Sequence, residues 1–306
     1  MFATEFTLKP VPPFSFELSA QIFSDGDRQI RIYEDGKFRQ IIPIGGKPSL
    51  VALESAGTVE EPKLRVELKS NSEISHADAR QAAQTVTRLF NLELDLVPFY
   101  DLAEKEGILK RITQRLRGLR SPTTQTVYEA LMDSIIEQQI SLKVATAIER
   151  RMIKKVGEAV TLEGEVYYAY PTAQALAQAS PEDLRGCGLS GRKVEYVREI
   201  SSLVAEGRLD LEKFRTYENA KDIVEELDKV RGIGTWTAEL TAIRSLQKWD
   251  AMPADDIGLR RIISQYYCGG RRITSEEAKK IAEPWGKWRG LAAFYFVIAE
   301  LLKVEV

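Results

Sequence analysis

Through most of the first 72 residues, apolar and polar positions alternate. RQIRIYEDGKFRQIIPI, SLVALES and KLRVELKS place β-branched and aromatic side chains at every second position, as in strands with one buried face. FSFELSAQIF (14–23) shows the same alternation and is expected to be a further strand. Asp35-Gly36 predicts a tight hairpin turn between two runs, while Gly45-Gly46-Lys47-Pro48 and Glu61-Pro62 interrupt the others. At HADARQAAQTVTRLFNL, within 76–92, the period becomes helical, and Ala83, Val86, Leu89 and Phe90 form the face expected to pack on the sheet. Residues 1–97 therefore read as an α+β domain, an antiparallel sheet with a helix.

From residue 98 to 306 the pattern is almost wholly helical. VYEALMDSIIEQQISLKVATAIERRMIKKVG sets Leu131, Ile135, Ile136, Ile140, Val144 and Ile148 near helical spacing. Segments 171–180, 192–205, 220–230, 235–247 and 276–304 repeat that pattern, with Pro171, Pro181, Pro253 and Pro284 near the helix starts. Residues 98–306 are expected to form an all-α region.

The composition, 44% hydrophobic and 29% charged over 306 residues, suits two domains with their own cores. No apolar run approaches the ~20 residues that span a bilayer, and MFATEFTLKPVPPF has no signal-peptide pattern, so a cytoplasmic protein without membrane association is expected. Cys187 and Cys268 fit a reducing compartment and are too few for a zinc site. The net charge of −2 does not recommend a nucleic-acid partner. Basic residues do group, at Lys110, Arg111, Arg115, Arg117 and Arg120, at Arg150, Arg151, Lys154 and Lys155, and at Arg260, Arg261, Arg271 and Arg272. Each run reads equally as a solvated helix face. The one histidine, His76, opens a helix expected to be exposed. Histidine-based triads, dyads and metal clusters would all have to be built on it, so any catalysis falls to carboxylates.

Two local features carry candidate chemistry. Between helical segments, Val230-Arg231-Gly232-Ile233-Gly234 forms a glycine hairpin, followed by TWTAEL. Gly232 and Gly234 allow positive φ and close backbone approach. The amides that open the next helix at Thr235 favour a phosphate. Carbonyls across the hairpin, those of Asp228, Val230 and Gly232, can hold Na+ or K+. G-x-G alone also fits a plain helix–turn–helix connection. About twenty residues on, Asp255 and Asp256 precede the helical run IGLRRIIS. Gly186-Cys187-Gly188-Leu189-Ser190-Gly191 matches a dinucleotide fingerprint literally, but it follows a short helical segment rather than a strand and reads as a helix–helix turn.

With GLRSP (118–122), SIIEQQIS (134–141), YPTAQALAQASPEDLRGCGLSGRKVEYV (170–197) and EPWGKWRGLAAF (283–294), the hairpin and PADDIGLRR (253–261) resemble the helix–hairpin–helix/Gly-Pro-Asp superfamily of base-excision DNA glycosylases. The resemblance is to its alkylpurine branch, the 3-methyladenine DNA glycosylase II type. It implies hydrolysis of the N-glycosidic bond of alkylated purines flipped out of damaged double-stranded DNA, by a monomer that requires no cofactor. The cellular site it implies is the cytoplasm, at the nucleoid in a prokaryote, or the nucleus in a eukaryote. By position, Asp256 is the catalytic carboxylate, and Asp255 caps the helix or orients its neighbour. Trp236 stands where lyase-active members carry a nucleophilic lysine, which implies a monofunctional enzyme. Trp236 and Gln138 fall to the substrate pocket. Gly232, Gly234, Thr235, Thr237 and Gln139 fall to DNA contact, with Gln139 near the residue that wedges into the duplex. Pro253-Ala254 replaces the Gly-Pro of the superfamily name, and Leu240 and Val297 are aliphatic where the branch favours aromatics. An 8-oxoguanine-type glycosylase/lyase and a non-catalytic helix–hairpin–helix DNA-binding protein are the alternatives.

Overall fold

The computed structural model describes residues 1–305. The N-terminal part contains β1 (Phe2–Leu8), α1 (Phe16–Phe23), β2 (Arg31–Glu34), β3 (Lys37–Ile44), β4 (Lys47–Ser55), β5 (Leu64–Ser70) and α2 (His76–Leu89). The strands form an antiparallel sheet in the order β1-β5-β4-β3-β2. Asp35 and Gly36 turn the β2–β3 hairpin with φ of 50° and 77°. β1 escaped the sequence reading because it is an edge strand with no buried residue.

Residues 14–23 are a correction. They form no strand; α1 is a helix. Phe16, Ser19, Ala20 and Phe23 are its buried residues, at spacings of three, four and seven, and Ser15 caps it by accepting from the Leu18 amide. With α2 it covers one face of the sheet, where Phe16, Phe23, Phe38 and Phe90 form a cluster of tilted, edge-on and stacked rings. Each buried ring of this kind contributes ~1.5–3 kcal/mol. On α2 the inward residues are Ala82, Thr85, Val86 and Leu89, one position off from the expected Ala83.

The helical region comprises α3 (Val97–Ala103), α4 (Gly107–Arg115), α5 (Val127–Glu137) and α6 (Leu142–Val156). A hairpin of β6 (Ala159–Leu162) and β7 (Glu165–Tyr168) interrupts it. Then come α7 (Ala173–Gln178), α8 (Pro181–Gly186), α9 (Gly191–Ala205), α10 (Ala220–Leu227), α11 (Thr235–Leu246), α12 (Ile257–Tyr267), α13 (Ser275–Ala282) and α14 (Arg289–Leu301). The β6–β7 hairpin was not expected. Its Leu162 and Tyr167 pack on Ile41 and Leu50 and cover part of the large sheet. The long apolar run of 127–157 is two helices, because Gln139 adopts φ 59° between α5 and α6. Gly186–Gly191 is a helix–helix turn, with Ser190 capping α9. An α+β sheet domain followed by a helical region is the architecture the pattern predicted.

The two cores separate between Leu92 and Leu96. Arg120, fully buried, ties across them by donating to the carbonyls of Val11, Pro13 and Asn91. Burial pushes its guanidinium down to about 10. Most of the other grouped cations face solvent or pair with acids: Lys110 with Glu104, Arg117 with Glu60, Lys154 with Asp27, Lys155 with Asp183, Arg261 with Glu300 and Arg271 with Glu277.

Candidate active site

The hairpin joins α10 to α11. Ile233 is buried and donates its amide to Val230 O at 3.0 Å, closing a turn whose apolar tip is anchored in the core. Gly232 has φ 94°, and a Cβ there would meet Tyr196 Cγ of α9 at 2.5 Å. That position requires glycine for its backbone and for the ring beneath it. Gly234 departs from expectation: its φ is −101°, and nothing lies within 4 Å of a built Cβ. It caps α11 with its backbone, accepting from Ala238 N at 3.0 Å. The amides of Gly234, Thr235, Trp236 and Thr237 have no acceptor among the described residues. They form a row of donors at the positive end of a three-turn helix.

Thr235 is exposed at this end, whereas the side chain of Thr237 is 2% exposed, so the backbone amide is the group left to a partner at Thr237. Its hydroxyl accepts from Gln138 Nε2 at 3.0 Å, and the same nitrogen donates to Gly232 O at 3.0 Å. The amide nitrogen of Gln138 thus braces the hairpin. Gln139 is exposed in the left-handed region and opens a projecting turn with exposed Ile140, Leu142 and Val144. Lys143, Arg192 and Lys229 near these segments carry no ion pair among the described residues. Of the carbonyls expected to hold a monovalent cation, Val230 O accepts from Ile233 N and Gly232 O from Gln138, while Asp228 O has no partner outside its helix. Each of the first two keeps a second lone pair.

Asp256 ends a loop held on both sides. Asp250 accepts from Ala220 N at 3.0 Å, Trp249 O accepts from Gly290 N at 2.7 Å, and residues 251–254 are buried. The helix cap is Asp256, not Asp255: its Oδ1 accepts from Leu259 N at 2.7 Å. Its Oδ2 accepts from Trp236 Nε1 at 3.1 Å. Asp255 is exposed, 4.0 Å from Arg260. The hairpin helix and the PADD loop thus meet through an indole–carboxylate bond. The carboxylate stays half-exposed, and the indole ties it to the helix whose first amides lack an acceptor among the described residues.

Glu239 was not anticipated. It lies on α11 one turn beyond Trp236, and burial pushes its carboxyl up to about 7 against the pull of Lys279 and Arg289, with Asp255 adding to the rise. Trp285 and Trp288 belong to the core: Trp285 stacks on Phe296 and Trp288 tilts on Phe99. Arg289 donates to Gly286 O at 3.0 Å.

The architecture and this hairpin–aspartate site define a helix–hairpin–helix repair protein. The model of the HhH-GPD superfamily of base excision DNA repair proteins matches residues 132–287, and the chain belongs to that family. It is 30% identical over 263 residues to a DNA-3-methyladenine glycosylase of Bacillus subtilis, covering 86% of each chain. The 3-methyladenine DNA glycosylase from Archaeoglobus fulgidus is similar throughout, with TM-score 0.83 and 26% identity over 98% of this chain and 100% of that one. A Schizosaccharomyces pombe 3-methyladenine DNA glycosylase, solved in complex with abasic DNA, matches with TM-score 0.56 and 27% identity over 67% of this chain and 97% of that one.

Proposed function

We propose that this protein is a monofunctional DNA glycosylase that excises alkylated purines from double-stranded DNA and acts as a monomer. The observation that carries the reading is the Trp236 Nε1–Asp256 Oδ2 bond. It sets an indole, not an amine nucleophile, against a half-exposed carboxylate at the start of α12. The amides of Gly234–Thr237 hold a backbone phosphate next to the lesion. The damaged nucleotide leaves the stack, at a cost of a few kcal/mol that damage lowers. The C1′–N bond then breaks, and the electron pair departs with the base. An N-alkylated purine already carries positive charge and leaves without a general acid. Asp256 stabilises the oxocarbenium sugar as an ion and directs water to C1′, which releases one proton. A Na+ or K+ at the carbonyls of Asp228, Val230 and Gly232 would add positive charge beside the phosphate.

The test is incubation with a duplex bearing N-methylated purines. The expected products are free base and an abasic site in an intact strand, with no borohydride-trapped adduct. An adduct, or no release from any alkylated duplex, would overturn the reading.

A further inference from the structure

The 138–144 turn and the 230–237 hairpin both contact α9. Tyr196 lies under Gly232, Glu195 and Glu199 hold Arg231 at 3.1 and 2.7 Å, and Arg231 also lies over the Tyr196 ring at 5.5 Å. One turn earlier, Lys193 reaches the other segment. It is 9% exposed, and its ammonium donates to Ile136 O at 2.6 Å and to Gln138 O at 2.7 Å. No carboxylate among the described residues pairs with it; the charge of Glu137 acts only from a distance, and burial pulls the ammonium below its usual range. A buried ammonium costs free energy, which its hydrogen bonds must offset. Those bonds sit at the C-terminus of α5, where carbonyls lack helical partners and the helix dipole favours a cation. They hold the carbonyl of Gln138 while its side chain reaches Gly232 O and Thr237 Oγ1. The next residue is Gln139 at φ 59°.

We propose that Lys193 is a positioning residue that locks the 138–144 turn to the 230–237 hairpin, so that the two segments engage DNA as one body. The functional side of this rests on the glycosylase reading above; the mechanical side does not. Charge-assisted hydrogen bonds are worth more than neutral ones, so the loss of two exposes the joint to local opening.

Hydrogen exchange on the intact protein tests the mechanics. Lys193→Met is expected to speed exchange by about tenfold or more in peptides covering both 138–144 and 230–237, with α14 unchanged. Lys193→Arg is expected to restore protection, and Gln138→Ala to loosen both segments without adding to Lys193→Met in the double variant. Faster exchange in only one segment, or in neither, sinks the brace.

Base release then tests its use. Lys193→Met is expected to slow single-turnover release from an alkylated duplex by about tenfold while changing release from the same single strand by less than about twofold, because only the duplex must be opened. Equal losses on both substrates overturn the positioning role. If the wild type releases no base, the glycosylase reading falls, and the exchange arm still decides the brace.

Discussion

Asp256 uses one carboxylate for two tasks: it caps α12 and receives the Trp236 indole. Substitutions separate them. Asparagine keeps an oxygen for the Leu259 amide but turns its NH2 toward the Trp236 Nε1–H, so Asp256→Asn keeps the cap and loses the indole bond, at a cost of about 1 kcal/mol. It lacks the charge that meets the oxocarbenium, and base release is expected to fall about a hundredfold or more. Asp256→Ala loses the cap too, at a further cost of about 1 kcal/mol. Melts and single-turnover release on the same preparations check both. An Asp256→Asn variant that releases base at the wild-type rate removes the carboxylate from the mechanism. Glu239 adds a titration nearby: it is neutral below about 7 and anionic above. A limb near that pH in the rate profile is expected to vanish in Glu239→Gln, and an identical profile in the variant would clear Glu239 of any part in it.

At the scale of the element, the two hairpin glycines part company. Gly232→Ala must adopt a positive φ and push into Tyr196, so a loss of about 1–3 kcal/mol is expected, together with weakened duplex binding. Gly234→Ala meets open space at an ordinary φ, so thermal stability is expected to change by less than about 0.5 kcal/mol. Equal destabilisation by the two would contradict this geometry. The sequence marked both glycines alike because composition carries no φ. The same limit accounts for the other departures. The aromatic alternation of 14–23 suits a strand as well as a helix, and only burial of Ser19 with Phe16, Ala20 and Phe23 distinguishes them. The α5–α6 break at Gln139 has no glycine or proline to announce it. Asp256 and Trp236 were legible because each sits in a contiguous motif. The bracing roles of Gln138 and Lys193 depend on partners 94 and 55 residues away, which no local spacing reports.

In the whole molecule, the sheet domain and the helical region meet over buried charge. Arg31 of β2 reaches Glu129 of α5 at 3.8 Å and Glu149 of α6 at 3.7 Å, with Asp25 and Asp133 nearby. One guanidinium cannot satisfy these carboxyls: Asp25 Oδ2, Glu149 Oε1 and Arg31 Nε are buried without hydrogen-bond partners. Burial pushes Glu129 and Asp133 up to about 7 and raises Glu149 and Asp25, outweighing the attraction of Arg31. The native state therefore binds more protons than the unfolded chain between the ordinary carboxylate range, near 4, and about 7. Stability is expected to fall as pH rises through that window, by up to about 1.4 kcal/mol per pH unit for each proton of difference. Below it, carboxylates held low by their partners, such as Asp78 and Glu277, lose their contribution on protonation, so the maximum lies on the acid side of neutrality. Denaturant melts at pH 5, 6, 7 and 8 measure the slope. Glu149→Gln supplies a permanently neutral side chain of the same shape and is expected to flatten it, with its largest gain at the alkaline end. A stability that rises from pH 5 to 8 in the wild type, or a Glu149→Gln variant with an unchanged slope, would mean that the charges at this interface remain ionised in the folded protein.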